Sequence, residues 1–156
     1  MKPTVYLETT VISYLGASPS RDIVVAAHQQ ITRAWWSRRD RFDLLTSQAV
    51  LDEASRGNTE AAARRMASLA KIPVLTVSDE VIQFAERLVE TGVVPAKVRS
   101  DAVHIAAAAV NGIAYLLTWN CAHIANAAVR VRIEEACRAA GLQAPIICTP
   151  EELMEG

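Results

Sequence analysis

The sequence predicts an α/β domain in three layers, an α/β/α sandwich with a mainly parallel sheet of about five strands. Short apolar segments alternate with helical segments along the whole chain, as they do when crossover helices connect parallel strands. The short segments are apolar throughout and do not alternate with polar residues, which is typical of strands that are covered on both faces. The length of 156 residues is that of one domain, and we assign residues 1–156 to it.

The predicted elements follow one another in order. Strands are predicted at residues 4–7, 42–46, 73–77, 114–118 and 146–148. Helices are predicted from residue 9 or 10 to about 15, and then at about 22–39, 48–57, 59–70, 78–90, 101–111 and 127–140, with a helical turn from Pro150. Thr9 or Thr10, Asp22, Ser47, Ser78 and Ser100 are the expected N-caps. Their short side chains can accept a hydrogen bond from a free backbone N–H.

The composition describes an ordinary globular protein and limits its partners. The net charge is −1, so an acidic partner such as a nucleic acid needs a local basic patch. Three cysteines without a CxxC pair favour a reducing compartment. The longest apolar run, residues 105–110, is too short to cross a bilayer. We therefore expect a cytoplasmic protein that does not enter the membrane.

Polar residues stand where the predicted strands end. Glu8 follows the first strand, Thr118 and Asn120 follow or end the fourth, Glu53 lies on the helix after the second, and Asp101 opens a helix. Ligands of open parallel sheets bind beyond the carboxyl ends of the strands. We therefore expect these five residues to converge at one edge of the sheet and to form the catalytic site.

Three converging carboxylates need a positive charge. Two carboxylates about 5 Å apart repel each other by roughly 3 kcal/mol at an effective dielectric constant near 20. A divalent cation with oxygen ligands, Mg²⁺ or Mn²⁺, removes this repulsion, and we predict Glu8, Glu53 and Asp101 as its ligands. Taken singly, each residue has a simpler interpretation. Glu53 can pair with Arg56, Asp101 can favour a helix N-terminus, and Asn120 can cap a loop.

Five segments carry a resemblance to a known family. They are LETTVISYL (7–15), VLDEASRG (50–57), RSDAVHIAAA (99–108), LLTWNCAHIAN (117–126) and ICTPEEL (147–153). With these segments in this order, the chain resembles the PIN-domain ribonucleases and, more narrowly, the VapC-type toxins of bacterial toxin–antitoxin pairs. The resemblance extends over essentially the whole chain.

The resemblance implies an endoribonuclease that depends on Mg²⁺ or Mn²⁺ and cleaves RNA with a metal-activated water. The family's acidic positions fall on Glu8, Glu53 and Asp101, its fourth polar position on Asn120, and the Thr or Ser before it on Thr118. Two residues depart from the pattern, because the family usually has aspartate where Glu8 stands and many members have aspartate where Asn120 stands. The implied partners are an RNA substrate, a cognate antitoxin and a second copy of the chain.

Further residues are predicted to bind the substrate. Thr10, Arg99, His104, His123 and Asn126 follow or lie within the same segments. A packed core histidine is the alternative for His104, and helix capping is the alternative for Asn126. The neighbouring Trp35 and Trp36 are predicted to divide their roles: one lies in the core, and the other serves a protein interface.

Two other functions stay open on the sequence. Glu8, one methylene longer than the family's aspartate, also suits a catalytically weak PIN-like module that binds RNA or protein. A phosphatase or a receiver-type phosphotransfer domain shares the doubly wound sheet, but it needs an aspartate at the end of the first strand, where this chain has Glu8.

Overall fold

The computed structural model describes residues 1–155, and Gly156, the last residue of the predicted domain, lies outside the described residues. Within residues 1–155, five strands form one sheet in the order β3-β2-β1-β4-β5. The strands are β1 (Thr4–Leu7), β2 (Asp43–Ser47), β3 (Val74–Leu75), β4 (Tyr115–Leu117) and β5 (Ile146–Cys148). Every neighbouring pair is parallel, which confirms the predicted sheet.

The helices cover the sheet in the predicted three-layer arrangement. They are α1 (Thr9–Gly16), α2 (Ile23–Trp36), α3 (Gln48–Ala54), α4 (Thr59–Leu69), α5 (Asp79–Glu90), α6 (Arg99–Val110) and α7 (Ala127–Ala139). Short 3-10 turns lie at Arg39–Arg41 and Ala96–Val98. Gly92, Gly112 and Gly141 follow α5, α6 and α7 with positive φ, so these helices end where the sequence predicts.

The predicted starts of two helices are wrong. Glu8, and neither Thr9 nor Thr10, is the N-cap of α1: its backbone is extended and its side chain accepts a hydrogen bond from the Thr10 N–H. The helix α6 begins at Arg99 without a side-chain cap, because the 3-10 turn before it already leads the chain into a helical path. Ser100, the predicted cap, therefore lies inside the first turn.

The helix α2 and the strand β3 are shorter than predicted. The helix α2 ends at Trp36, and the residues that follow it form a 3-10 turn at Arg39–Arg41. The strand β3 has two residues, Val74–Leu75, where the sequence predicts five. It lies at the edge of the sheet and pairs with β2 alone, so a neighbour on only one side supports it.

The strand β1 is central in the sheet and lies in the hydrophobic core. Val5, Tyr6 and Leu7 are completely buried between β2 and β4. Trp35 is also fully buried, which confirms the prediction that one tryptophan belongs to the core. Its neighbour Trp36 is half-buried, and the Arg39 guanidinium lies 4.5 Å from its ring.

The order of the strands positions the functional site. From β1 the chain adds β2 and then β3 on one side, and it later returns to add β4 and β5 on the other side. Ligands of open α/β sheets bind at such a reversal, beyond the carboxyl ends of the strands. The residues after β1 and β4 therefore lie where a ligand is expected. No helix formed by residues 1–155 is both long enough and apolar enough to span a membrane.

Candidate functional site

Glu8 lies directly beyond the end of β1 and is 3% exposed. Its backbone N–H donates to the Leu117 carbonyl at 3.1 Å, which continues the pairing of β1 with β4. Its carboxylate oxygen Oε1 accepts hydrogen bonds from the Thr118 hydroxyl at 2.6 Å and from the Thr10 N–H at 3.2 Å. The Thr10 hydroxyl donates to the same oxygen. A buried carboxylate is therefore held by donors that come from two different strand ends.

The segment after β4 is bound tightly to the segment after β1. The Thr118 hydroxyl accepts a hydrogen bond from the Asn120 N–H at 2.9 Å. The Thr10 hydroxyl accepts one from the Trp119 N–H at 2.8 Å. The Asn120 side-chain oxygen accepts one from the His123 N–H at 3.0 Å, which is the loop-capping role that its residue type allows. These bonds fix the predicted fourth motif against Glu8.

Asp101 lies in the first turn of α6 and is 9% exposed. Burial raises the pKa of this carboxyl group, and a hydrogen bond from the Asn120 side chain, together with the positive charges of His104 and His123, offsets part of that increase. The Asn120 side chain thus lies near Asp101. Glu8 contacts Thr118 of the same segment, so two of the predicted acidic residues lie near the segment that follows β4.

Glu53, on α3, is paired with His104, on α6. The His104 Nε2 contacts the Glu53 Oε1, and the Thr9 hydroxyl donates to the same carboxylate oxygen at 3.2 Å. The other ring nitrogen of His104, Nδ1, lies 2.8 Å from the Tyr6 hydroxyl, which lies 2.7 Å from the Ser47 hydroxyl. A buried polar chain of four side chains therefore runs from β2 through β1 to the carboxylate on α3.

His104 and Glu53 shift each other's pKa in opposite directions. Burial disfavours the charged form of both groups. Against it, the hydrogen bond to Glu53 and the charges of Glu8, Glu53 and Asp101 raise the pKa of His104. The hydrogen bond and charge of His104 lower the pKa of Glu53. Three carboxylates thus favour the protonated, positively charged form of His104, whereas the sequence predicts a metal ion as the only source of positive charge.

The donor atoms at Glu8 and Asp101 fit a hard divalent cation. Among residues 1–155, no three His, Cys, Asp or Glu side chains are grouped so that they can hold a metal ion between them, and Glu53 is already engaged by His104. Mg²⁺ is commonly held by one or two carboxylates and keeps several waters. Two carboxylates with the oxygen of Asn120 nearby therefore suit Mg²⁺ or Mn²⁺, with fewer direct protein ligands than the three predicted.

The remaining predicted residues, and Arg130 on α7, have different surroundings. Arg99 is exposed at the start of α6, and His123 is partly exposed. The side-chain oxygen of Asn126 caps α7, where it accepts hydrogen bonds from the N–H groups of residues 128 and 129. Arg130 is bonded to the Glu152 carboxylate through both of its terminal nitrogens. The capping alternative thus describes what Asn126 does in the folded chain.

Sequence reasoning missed Tyr6 and the role of Ser47. Tyr6 looks like an ordinary core residue of a buried strand, and its bond to His104 spans 98 residues of sequence. Ser47 occupies the N-cap position of α3 as predicted, but its side chain makes no capping bond and instead contacts Tyr6. The one available signal was a hydroxyl group inside an otherwise apolar strand, since a buried hydroxyl needs a partner.

Comparison with known proteins identifies the fold. No protein-family model matches the chain, and no curated protein matches it. One similar solved structure is VapBC2 from Rickettsia felis, bound to a DNA fragment from the VapBC2 promoter. A chain of it has a TM-score of 0.59 and 12% identity to this chain, over 94% of this chain and 98% of that one. A chain of VapBC-1 from nontypeable Haemophilus influenzae has a TM-score of 0.57 and 14% identity, over 95% and 98%.

A third solved structure is similar over a shorter part of the chain. VapC20 from Mycobacterium tuberculosis, described as a toxin that cleaves the Sarcin-Ricin loop, has a TM-score of 0.56 and 19% identity, over 76% of this chain and 92% of that one. At these identities the likeness concerns the fold. The chain has the fold of VapC-type toxin structures, which confirms the architecture that the sequence resemblance implied.

Proposed function

We propose that this chain is a metal-dependent endoribonuclease that cleaves RNA phosphodiester bonds, and that it is the toxin of a toxin–antitoxin pair. The observation that carries the proposal is the meeting of Glu8, Asp101 and the Glu53–His104 pair beyond the central strand. The fold of this chain is also that of a toxin that is described as cleaving the Sarcin-Ricin loop. Buried carboxylates at this edge of a parallel sheet suit phosphoryl chemistry better than they suit packing.

Glu8 and Asp101 would hold the cation, Mg²⁺ or Mn²⁺, with Asn120 contributing an oxygen. When bound, a divalent cation stabilises negative charge on a phosphoryl group and acidifies water. Thr10 and Thr118 orient the Glu8 carboxylate through their hydrogen bonds. These two threonines therefore hold the carboxylate and do not bind RNA themselves. Their hydroxyl groups fix the longer side chain of Glu8 where the family usually has aspartate.

Glu53 orients the attacking water. Its pKa is held low by the hydrogen bond and charge of His104, against the opposing effect of burial, so the carboxylate is ionised and accepts hydrogen bonds near neutral pH. A carboxylate of low basicity positions a water molecule but retains a proton poorly. We therefore assign orientation to Glu53. His104 positions Glu53 and does not touch the RNA.

Local positive charge compensates for the net charge of −1. Lys97 and Arg99 are exposed just before and at the start of α6, four and two residues from Asp101, respectively. Lysine and arginine side chains at such positions contact backbone phosphates. His123, partly exposed in the loop after β4, is a further phosphate contact. Arg130 is paired with Glu152, so its positive charge is less available for contact with RNA.

Cleavage of total RNA tests the proposal. The chain should cleave RNA with Mg²⁺ or Mn²⁺ and should lose this activity in EDTA. Asp101→Asn should lower the rate at least about 100-fold, the scale on which a misplaced reacting group acts. Asp79→Asn is the matched control, because Asp79 is also in the first turn of a helix but is exposed. Cleavage that persists in EDTA, or in a folded Asp101→Asn variant, contradicts the proposal.

The proposed partners follow from the fold and the proposed activity. Two of the similar structures are described as VapBC proteins, and we propose an antitoxin chain as a partner here, together with a second copy of this chain. The half-buried Trp36 is the tryptophan available to such an interface. RNA as the substrate places the action of the protein in the cytoplasm. Co-expression with the product of a neighbouring short open reading frame, followed by size-exclusion chromatography, tests the partners.

A catalytically weak binding module is the second candidate. It is favoured by the engagement of Glu53 with His104, which leaves fewer carboxylates for a cation. A receiver-type phosphotransfer domain gains no support, because the carboxylate at the end of β1 is buried among hydrogen-bond donors. The Glu8→Asp variant distinguishes an active nuclease from the weak module.

A further inference from the structure

Three aromatic rings from three parts of the chain pack together. They are Tyr14 on α1, His28 on α2 and Trp119 in the loop after β4. His28 stacks on Trp119 with 4.0 Å between ring centroids and 13° between planes. Tyr14 meets Trp119 edge-on at 6.3 Å and lies 6.0 Å from His28. We call these residues the aromatic cluster.

The aromatic cluster has a fixed base and an open rim. Trp119 is 8% exposed, and its indole N–H donates to the Thr32 hydroxyl at 2.8 Å. Tyr14 and His28 are both partly exposed. The hydrogen bond and the stacked imidazole hold Trp119 in place, so the two outer rings rest on a rigid partner and still reach solvent.

The aromatic cluster borders the acidic site. Trp119 directly precedes Asn120, and its backbone N–H donates to the Thr10 hydroxyl, which in turn contacts Glu8. Tyr14 is four residues after Thr10 on α1, and residues with this spacing lie on the same face of a helix. The rings therefore lie beside the residues that hold the buried carboxylate of Glu8.

We infer that Tyr14 and His28, supported by Trp119, form a stacking site for an unpaired nucleobase of RNA. Aromatic side chains beside a groove that binds phosphates take up the faces of unpaired bases, and all four bases can stack in this way. Bases inside a duplex are already stacked on their neighbours. The stacking site thus selects single-stranded or looped RNA and sets the position of the chain of nucleotides relative to the carboxylates. This inference rests on the proposed function.

Fluorescence of a base analogue tests the stacking site apart from cleavage. Short single-stranded RNA that carries 2-aminopurine is titrated with the protein in EDTA, and stacking should quench the emission. Tyr14→Ala and His28→Ala should each weaken binding about fivefold to 100-fold, the range for loss of one stacked base. Tyr115→Ala is the matched control, because Tyr115 is also a partly exposed aromatic residue and packs on Phe42 at the amino end of β4, away from the acidic site. It should leave binding unchanged.

Two conservative variants separate stacking from packing. Tyr14→Phe keeps the ring and should bind like the parent chain, whereas Tyr14→Leu keeps apolar volume without a ring and should bind like Tyr14→Ala. In cleavage assays the ring-deleting variants should raise KM and leave kcat nearly unchanged.

Two results would overturn the inference, and they differ from a failure of the proposed function. The first is unchanged binding and KM in folded Tyr14→Leu and His28→Ala chains that still cleave RNA. The second is equal weakening by Tyr115→Ala. A parent chain that neither binds nor cleaves any RNA would instead remove the proposed function, and the stacking site with it.

Discussion

The hydroxyl group of Thr118 donates a 2.6 Å hydrogen bond to the carboxylate of Glu8, across 110 residues of sequence. The bond joins the end of the central strand to the end of its neighbour β4. Both groups are buried, and a hydrogen bond to an ionised carboxylate is stronger than one between neutral groups. It therefore stabilises the fold and orients the carboxylate at once.

Replacement of Thr118 by valine removes this donor and keeps the shape of the side chain. We expect Thr118→Val to lower the free energy of unfolding by about 2 kcal/mol, the scale of a hydrogen bond to a charged group, and to lower RNA cleavage as well. Urea denaturation and a cleavage assay measure the two effects. Thr118→Ser, which keeps the hydroxyl, should stay close to the parent chain in both, and a valine variant as stable as the serine variant contradicts this role.

Shortening Glu8 to aspartate tests whether the site has adapted to glutamate. Aspartate caps helices well, so the variant should still fold, although it is less stable because the carboxylate withdraws by about one bond length from Thr118. Tight positioning also makes catalysis sensitive to such a shift. We expect Glu8→Asp to lower kcat/KM about tenfold or more, with Glu60→Asp in the exposed first turn of α4 as control. A rise in cleavage would instead favour the weak module.

The Tyr6 hydroxyl connects Ser47 to His104 inside the protein. Tyr6→Phe removes only this oxygen and leaves two buried partners without it, so we expect a loss of about 1–3 kcal/mol in the free energy of unfolding. Equilibrium unfolding in urea measures the loss. Tyr115→Phe on β4, where the side chain is partly exposed, serves as control and should cost less. Equal effects of the two variants would mean that the hydrogen bonds of Tyr6 with Ser47 and His104 contribute little to stability.

The Glu53–His104 pair makes stability depend on pH. The pKa of His104 is raised in the folded chain, so its contribution is complete below its ordinary value of 6.5 and is lost as the pH rises through the raised value. The pKa of Glu53 is lowered, so its contribution is present above its ordinary value of 4.5 and is lost as the pH falls through the lowered value. The pair therefore stabilises the fold most between these two ordinary values.

This dependence is measurable with the cation removed. In EDTA, the free energy of unfolding of the parent chain should fall as the pH rises above 6.5 and through the raised pKa of His104. The Glu53→Gln variant cannot stabilise the imidazolium in this way, although Glu8 and Asp101 also face His104, and its fall should be much smaller. Parallel curves for the two chains would show that the ion pair does not form.

The sheet, and the approach of polar residues to one another beyond the strand ends, were predictable because they depend on local patterns. Uninterrupted apolar segments marked the strands, and the carboxyl ends of parallel strands necessarily lie at one edge. Glu8, Asp101 and Asn120 followed from that rule. The edge strand β3 was predicted too long, since apolar composition alone does not reveal that a strand has only one neighbour.

The contacts of the site were less predictable, because they join residues that are far apart in sequence. The spacing placed His104 on the same helix face as Asp101, but it did not reveal Glu53 on α3 as its partner. The stacking of His28 on Trp119 likewise joins distant segments. Even the local cap of α1 was predicted to be a threonine, because glutamate is an uncommon N-cap.

The long separation between β1 and β4 has a consequence during translation. Thr118, the hydrogen-bond donor of Glu8, is synthesised 110 residues after it. At roughly 5–20 residues per second, several seconds pass between the two. Nascent chains that stop before β4 contain the first carboxylate but neither β4 nor the loop that orients the carboxylate. The site is thus completed only after β4 and the loop that follows it have been synthesised, and chains that stop earlier lack it.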